Sequence, residues 1–414
     1  MSPKLKAGLL FFCLSLFCCL HCIAQEKIYF EPSTALGGKQ SDFLTCNNVV
    51  VFETTSESKF DRYSSIVPTK NFFIVYDYSA KKTLVFRKDG RFVKKFSTRV
   101  DFGGFDYNKE TDRLEMVVSN KMFRLTNKDN AQIQEDYKNP KNFKYYKKFF
   151  IDLTDTVNFT VHKQKIEQDD ILKSVSYIDG MHILNQVTVG KYFSKKEDYE
   201  LKIYRGDSLL KQYFAYDKQK DSRYIFDGAR VSISPSSKAG EKWVTHPYDY
   251  TIYLLNKDSL YKVYDIVLPM DRVVSAEFFT KQFDNRTDKD NYLRQNRKSI
   301  KQIYVTDLSS RYLSFYMQSV AYESQRFLYD TKKKIFYNYD KISTDSLTYY
   351  LPVNKNVAFT DGNFIYARIF AEDALKIAEE HKKDNMQYPP LLEAYLKTAT
   401  NDSNPVLINF NYRD

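Results

Sequence analysis

The sequence is poor in the residues that most often announce a chemistry. Of its 5 Cys, four fall among the first 24 of 414 residues and only Cys46 lies beyond. A single thiol has no intramolecular partner, so a disulfide framework is excluded even in an oxidising compartment. Past residue 24 the histidines are His162, His182, His246 and His381, too scattered for the close pair that marks a zinc site. No catalytic residue, metal or cofactor is therefore assigned. No apolar run past residue 24 is long enough for a membrane helix, so no transmembrane segment is expected.

Glycine is also scarce, 12 residues, while Tyr (34) and Phe (32) are abundant. Aromatic and β-branched residues come in short runs broken by charged turns, which is the pattern of strands and hairpins. Phe72 to Phe96 reads as three antiparallel strands, with Asp89-Gly90 supplying the positive φ of a tight turn. The only tryptophan, Trp243, is followed by valine, which removes the WD40 signature.

The first 24 residues carry Lys4 and Lys6, an apolar stretch from Leu9 to Leu20, and Ala24 at a cleavage position. This predicts an export signal over 1–24 and a chain of 25–414 in the periplasm, at the cell surface or outside the cell. Cys19 and Cys22 follow Cys18 and His21 where a lipid acceptor needs a small residue, so lipoprotein processing is disfavoured. Net charge is +11, of which the leader carries two. Outside the cytoplasm that balance points to acidic glycans, anionic headgroups or an acidic protein before nucleic acid. Simple solubility is the alternative account of the same balance.

A repeat sets the architecture. Lys202–Tyr213 (KIYRGDSLLKQY) and Thr251–Tyr264 (TIYLLNKDSLYKVY) share Ile-Tyr, a turn, Asp-Ser-Leu, Lys and Tyr. Arg326–Tyr339 repeats the strand, charged turn, strand pattern, and a third Asp-Ser-Leu follows at Asp345. Units of several strands at such intervals predict a propeller. Ala371, Ala374, Leu375 and Ala378 fall at helical spacing, and Pro389-Pro390 opens a second helical stretch. The expectation is a short helical insertion over about 371–399, then a closing strand over about 405–412 that completes a sheet begun near the N-terminus. Some 65 residues for each of about six units exceeds a WD40 blade, so insertions must fill the difference.

The segments Val51–Phe60, Phe72–Asp77, Thr83–Phe86 with Asp89-Gly90, Pro247–Tyr253 (PYDYTIY) and Asn404–Leu407 together resemble the secreted six-bladed β-propeller family of TolB-like type. Tyr250 is extra relative to that pattern, and the Gly-rich loop after the first hairpin is reduced to Gly103-Gly104. The resemblance implies an all-β, six-bladed propeller and no particular activity.

Other motifs dissolve on inspection. Gly206-Asp207-Ser208-Leu209 imitates an esterase block, but the only Asp-x-x-His arrangement, Asp179 to His182, lies upstream of Ser208. Arg205-Gly206-Asp207 imitates an adhesion signal on three residues alone. Asp284, Asn285, Asp288 and Asp290 lack the glycine and the twelfth-position glutamate of a calcium loop, Ser299 standing there, and read as a solvated loop. Ser236–Trp243 resembles one degenerate sialidase box with Lys238 in the aspartate position. Asp155-Thr156-Val157 and the Asp-Ser-Leu sites resemble O-glycan acceptors and equally suit turns. Lys138–Phe150 interleaves lysines with rings, which suits an anionic polymer or a lysine-blunted strand.

The sequence thus supports an exported, non-catalytic binding or scaffold module whose partner is a polysaccharide or an envelope protein. Its ligand contacts are expected at the channel mouth, from Trp243 and Tyr248 as stacking rings and His246 as a donor. The competing class is a carboxylate- or metal-dependent hydrolase or lactonase at the same mouth.

Overall fold

The structure, a computed structural model, describes residues 26–97, 101–109, 111–119, 146–165, 173–178, 181–186, 197–206, 208–217, 231–236, 238, 240–281, 283–309, 311–321, 323–361 and 364–413. The leader, Asp207, Asp179 and most of Lys138–Phe150 lie outside these residues.

The described strands fall into six sheets. Ahead of them run β1 (Glu26–Tyr29), β2 (Leu36–Lys39), helix α1 (Gln40–Phe43) and β3 (Leu44–Val51). The first sheet holds β4 (Ser64–Pro68), β5 (Phe72–Asp77), β6 (Lys82–Arg87) and β7 (Phe92–Ser97). The second holds β8 (Asp101–Asn108), β9 (Arg113–Ser119), β10 (Tyr146–Asp152) and β11 (Val161–Gln164). The third holds β12 (Lys173–Ile178), β13 (Met181–Gln186), β14 (Glu197–Arg205) and β15 (Ser208–Asp217). The fourth holds β16 (Ser232–Pro235), β17 (Lys242–Thr245), β18 (Thr251–Leu255) and β19 (Leu260–Val267), with β1 added in parallel at its edge.

Helices α2 (Ala276–Thr280) and α3 (Arg286–Gln295) lead to the fifth sheet: β20 (Ile300–Leu308), β21 (Tyr312–Ser319), β22 (Ser324–Asp330) and β23 (Ile335–Ser343). There β2 is the parallel edge strand. The sixth sheet begins with β24 (Val357–Asp361) and β25 (Phe364–Ile369), passes through helices α4 (Ala371–Glu380) and α5 (Pro390–Thr398), and resumes with β26 (Val406–Tyr412). β26 then pairs antiparallel with β3, from Val406 opposite Val51 to Tyr412 opposite Leu44. One sheet therefore joins the early strand β3 to the last strand of the described chain.

Apart from the parallel edge strands β1 and β2, the sheets are antiparallel, and apolar cores join neighbouring sheets. β5 shows why its sequence does not alternate. Phe73 and Val75 join Val50 and Leu407 of the sixth sheet and Phe52 just after β3, while Phe72 and Ile74 join Leu114, Met116 and Ile151 of the second. With both faces covered, every position of the strand is buried. Similar cores join third to fourth, fourth to fifth and fifth to sixth sheets.

The local readings fare unequally. The three strands expected over Phe72–Phe96 are β5 to β7, and Gly90 takes φ 92° at their second turn. A Cβ there would lie 2.0 Å from the Val51 carbonyl oxygen, so glycine is required both by angle and by space. The two long repeats are the β14–β15 and β18–β19 hairpins, each with a register shift at its Ile-Tyr pair, Ile203/Tyr204 and Ile252/Tyr253.

The third Asp-Ser-Leu is a different turn. Asp345 caps a 3₁₀ turn over Ser346–Thr348 by accepting the Leu347 N–H, and its other oxygen accepts the Ser41 N–H. The acidic run expected as a solvated loop is instead the start of α3, because the Asn285 side chain accepts the Asp288 N–H as an N-cap.

The N-terminal strap crosses two sheets. From Glu26 to Lys39 it supplies the outer edge of the fourth and then of the fifth, blunting both. Phe30 anchors it, stacked at 4.0 Å on Phe336 and edge-on to Phe327 and Phe315 at 4.8 and 5.9 Å. Gln40 then enters the interior and donates to Thr348 Oγ1 and the Leu351 carbonyl while accepting the Asn354 N–H.

Candidate functional site

In a four-strand meander the connection between strands two and three emerges at the same end as the links to neighbouring sheets. Helices α4 and α5 lie in such a connection, between β25 and β26. They meet the 52–63 link and the β5–β6 turn around a cleft of about 380 Å³.

Its walls follow from short-range chemistry. Asp77 ends β5 and accepts the Ala80 N–H at 2.9 Å, an Asp-initiated turn. Beside the lining residues Ser403 and Pro405, Asn404 is fully buried and locks the link: its Oδ1 accepts the Phe60 N–H at 2.9 Å, and its Nδ2 donates to the Glu53 and Ser58 carbonyls. Phe370, the N-cap of α4, lies beneath two guanidiniums, Arg62 at 4.5 Å and Arg368 at 4.9 Å from its ring centre. Arg62 pairs with Glu372 and approaches Asp373 at 3.9 Å. Arg368 donates to the Ser64 carbonyl, and burial pulls its pKa below the ordinary guanidinium value against the opposing pull of Asp61.

Lys59 pairs with Asp402 at 3.2 Å across the mouth. The lining offers carboxylates, amide, hydroxyl and cationic groups, and it contains no His or Cys. Its hydroxyls belong to Ser79 and Ser403, and Ser403 Oγ already accepts the Thr400 N–H. Such a surface can hold a polar ligand by many hydrogen bonds.

The residues expected to contact ligand lie elsewhere and inside. Trp243, His246 and Tyr248 are 4%, 5% and 6% exposed. Trp243 sits in β17 and packs into the core between fourth and fifth sheets. His246 Nε2 is 2.8 Å from Glu200 Oε1 of β14, with Phe214 stacked on its ring at 4.7 Å. Tyr248 takes φ 59°, donates its N–H to the Lys301 carbonyl at 2.7 Å and packs on Phe278 of α2. Stacking on a sugar needs an exposed ring face, and these rings are buried. The polar spacing that marks 246–250 as a connection is right, and its exposure is corrected.

The cleft unites residues near 60, 78, 371 and 402, so no window of sequence displays it. Its parts were visible only as a turn, a helical insertion and a strand start. Among the described residues no three His, Cys, Asp or Glu side chains gather as a metal site, and no helix is long and apolar enough to cross a membrane.

No family model matches the chain, and no curated protein matches it. Among solved structures, a protein of Bacteroides fragilis described as exported matches with a TM-score of 0.60 at 14% identity, over 94% of this chain and 100% of its own. A member of the DUF4221 family from Bacteroides vulgatus matches with a TM-score of 0.43 at 8% identity, over 90% and 98%. The β-propeller domain of Myceliophteria thermophila Cps50 (Swd1) matches with 0.31 at 9%, over 73% and 83%. The chain is all-β, built of many sheets with few helices, and it shares its overall architecture with the exported Bacteroides fragilis protein.

Proposed function

We propose that this chain is an exported, non-catalytic binding or scaffold module, a six-bladed propeller of TolB-like type that engages a glycan or an envelope protein through the cleft beside α4 and α5. The observation that carries the reading is the packing of the sixth sheet on the first, with β26 paired to β3. Packing of the last sheet on the first supports a ring of sheets, an arrangement that gathers its inter-sheet links at one end. The cleft lies among those links, where the loops can vary without disturbing the sheets.

Thermal unfolding of the protein against acidic and neutral polysaccharides tests this, paired with cross-linking in the native envelope. Ligand at about a hundredfold over its dissociation constant adds roughly 2.7 kcal/mol, a readable shift in midpoint. The expected result is a shift, or a cross-linked partner, that Ser79→Trp abolishes by filling the cleft. A shift or a cross-link retained in Ser79→Trp would move the site elsewhere. Neither a shift nor a partner would overturn the module.

A further inference from the structure

The cleft is acidic in a basic protein. Asp61, Asp77, Glu372 and Asp402 line it against Lys59 and Arg62. Both cations are already engaged, Lys59 with Asp402 and Arg62 with Glu372. Asp77 differs from the other three acids: it is 3% exposed, its Oδ1 accepts the Ala80 N–H, and among the described residues no donor or cation meets its Oδ2. A carboxylate this little exposed that also lines a cavity favours a cation or donor there.

We propose that the cleft is a receptor for a primary ammonium group, with Asp77 as its counter-ion. An alkylammonium has three donors and a compact charge, which suits the Asp77 carboxylate together with the Ser79 hydroxyl and the exposed Asp61 carboxylate of the same lining. The group can be borne by a lysine side chain or by an amino sugar. This inference rests on the cleft being the ligand site and adds the charge of the group it takes.

Ligand-observed NMR titration of the full protein tests it with Nα-acetyl-lysine methylamide, its Nε-acetylated form, glucosamine and N-acetylglucosamine. The charged member of a pair binds and its acetylated form binds at least about tenfold more weakly, since acetylation removes the charge. Which pair responds identifies the source. Asp77→Asn keeps an oxygen for the Ala80 N–H, so the free protein holds its unfolding midpoint while affinity for the amine falls about thirtyfold or more. Binding unchanged in Asp77→Asn, or equal for acetylated and charged forms, overturns the proposal and leaves the binding module standing. No binding by any of the four probes, beside glycan shifts abolished by Ser79→Trp, overturns the ammonium and retains the cleft.

Discussion

Replacing Phe30 with alanine should cost about 3–5 kcal/mol of stability, the usual range for removing a fully buried phenylalanine. The ring is buried between the strap and the fifth sheet and touches three phenylalanines at 4.0 to 5.9 Å. Transfer of the ring to water accounts for about 1.5–3 kcal/mol, and each lost ring pair for about 0.5–1.5 kcal/mol more. The pairs overlap within one cavity, so they do not add in full. Urea unfolding followed by tryptophan fluorescence is the assay, because the only Trp, Trp243, lies in the same apolar cluster as Phe30. Phe30→Leu retains most of the apolar volume and should lose less than half as much. A Phe30→Ala protein within about 1 kcal/mol of the parent would refute the strap as an anchor.

Two further outcomes follow from ionisation. Burial alone would raise the pKa of Asp330, but the Arg311 guanidinium, at 2.7 and 3.0 Å, and the Lys333 and Lys332 N–H groups outweigh it and hold the carboxyl low. A lowered folded pKa contributes stability that is present above the ordinary carboxylate value near ~4 and lost as pH falls through the folded one. Urea midpoints measured from pH 6 downward should therefore converge for the parent and Asp330→Asn only below the ordinary carboxylate range; parallel curves would refute the assignment. Cys46 has its pKa pushed up to about 11 by burial and, second, by Asp345. Its thiolate is scarce at pH 8, so alkylation by iodoacetamide should run at least about tenfold slower than for the urea-unfolded chain. Equal rates would place the thiol at the surface.

What the sequence made legible was local. Asp89-Gly90 and the two long repeats specify their hairpins within a dozen residues, since a turn and a period of two need no distant partner. Failures came where a short motif has two structural uses. Asp-Ser-Leu lies on a hairpin at Asp258, where Asn256 Oδ1 accepts the Asp258 and Ser259 N–H groups, and on a 3₁₀ cap at Asp345, whose own Oδ1 accepts the Leu347 N–H. Burial of His246 was illegible for another reason: Glu200 and Phe214, which cover it, belong to the preceding sheet. The cleft is the extreme case, joining positions more than 300 residues apart.

The pairing of β26 with β3 also acts on the chain before it is finished. During vectorial emergence β3 appears early and finds its antiparallel neighbour only when Val406–Tyr412 arrive, and the strap likewise waits for β23. A product that stops short of Val406 therefore leaves the Leu44–Val51 backbone as an unsatisfied ribbon, open to proteases and to aggregation. The fold thereby proofreads its own length, since a truncated copy exposes that ribbon whatever the quality of the sheets between.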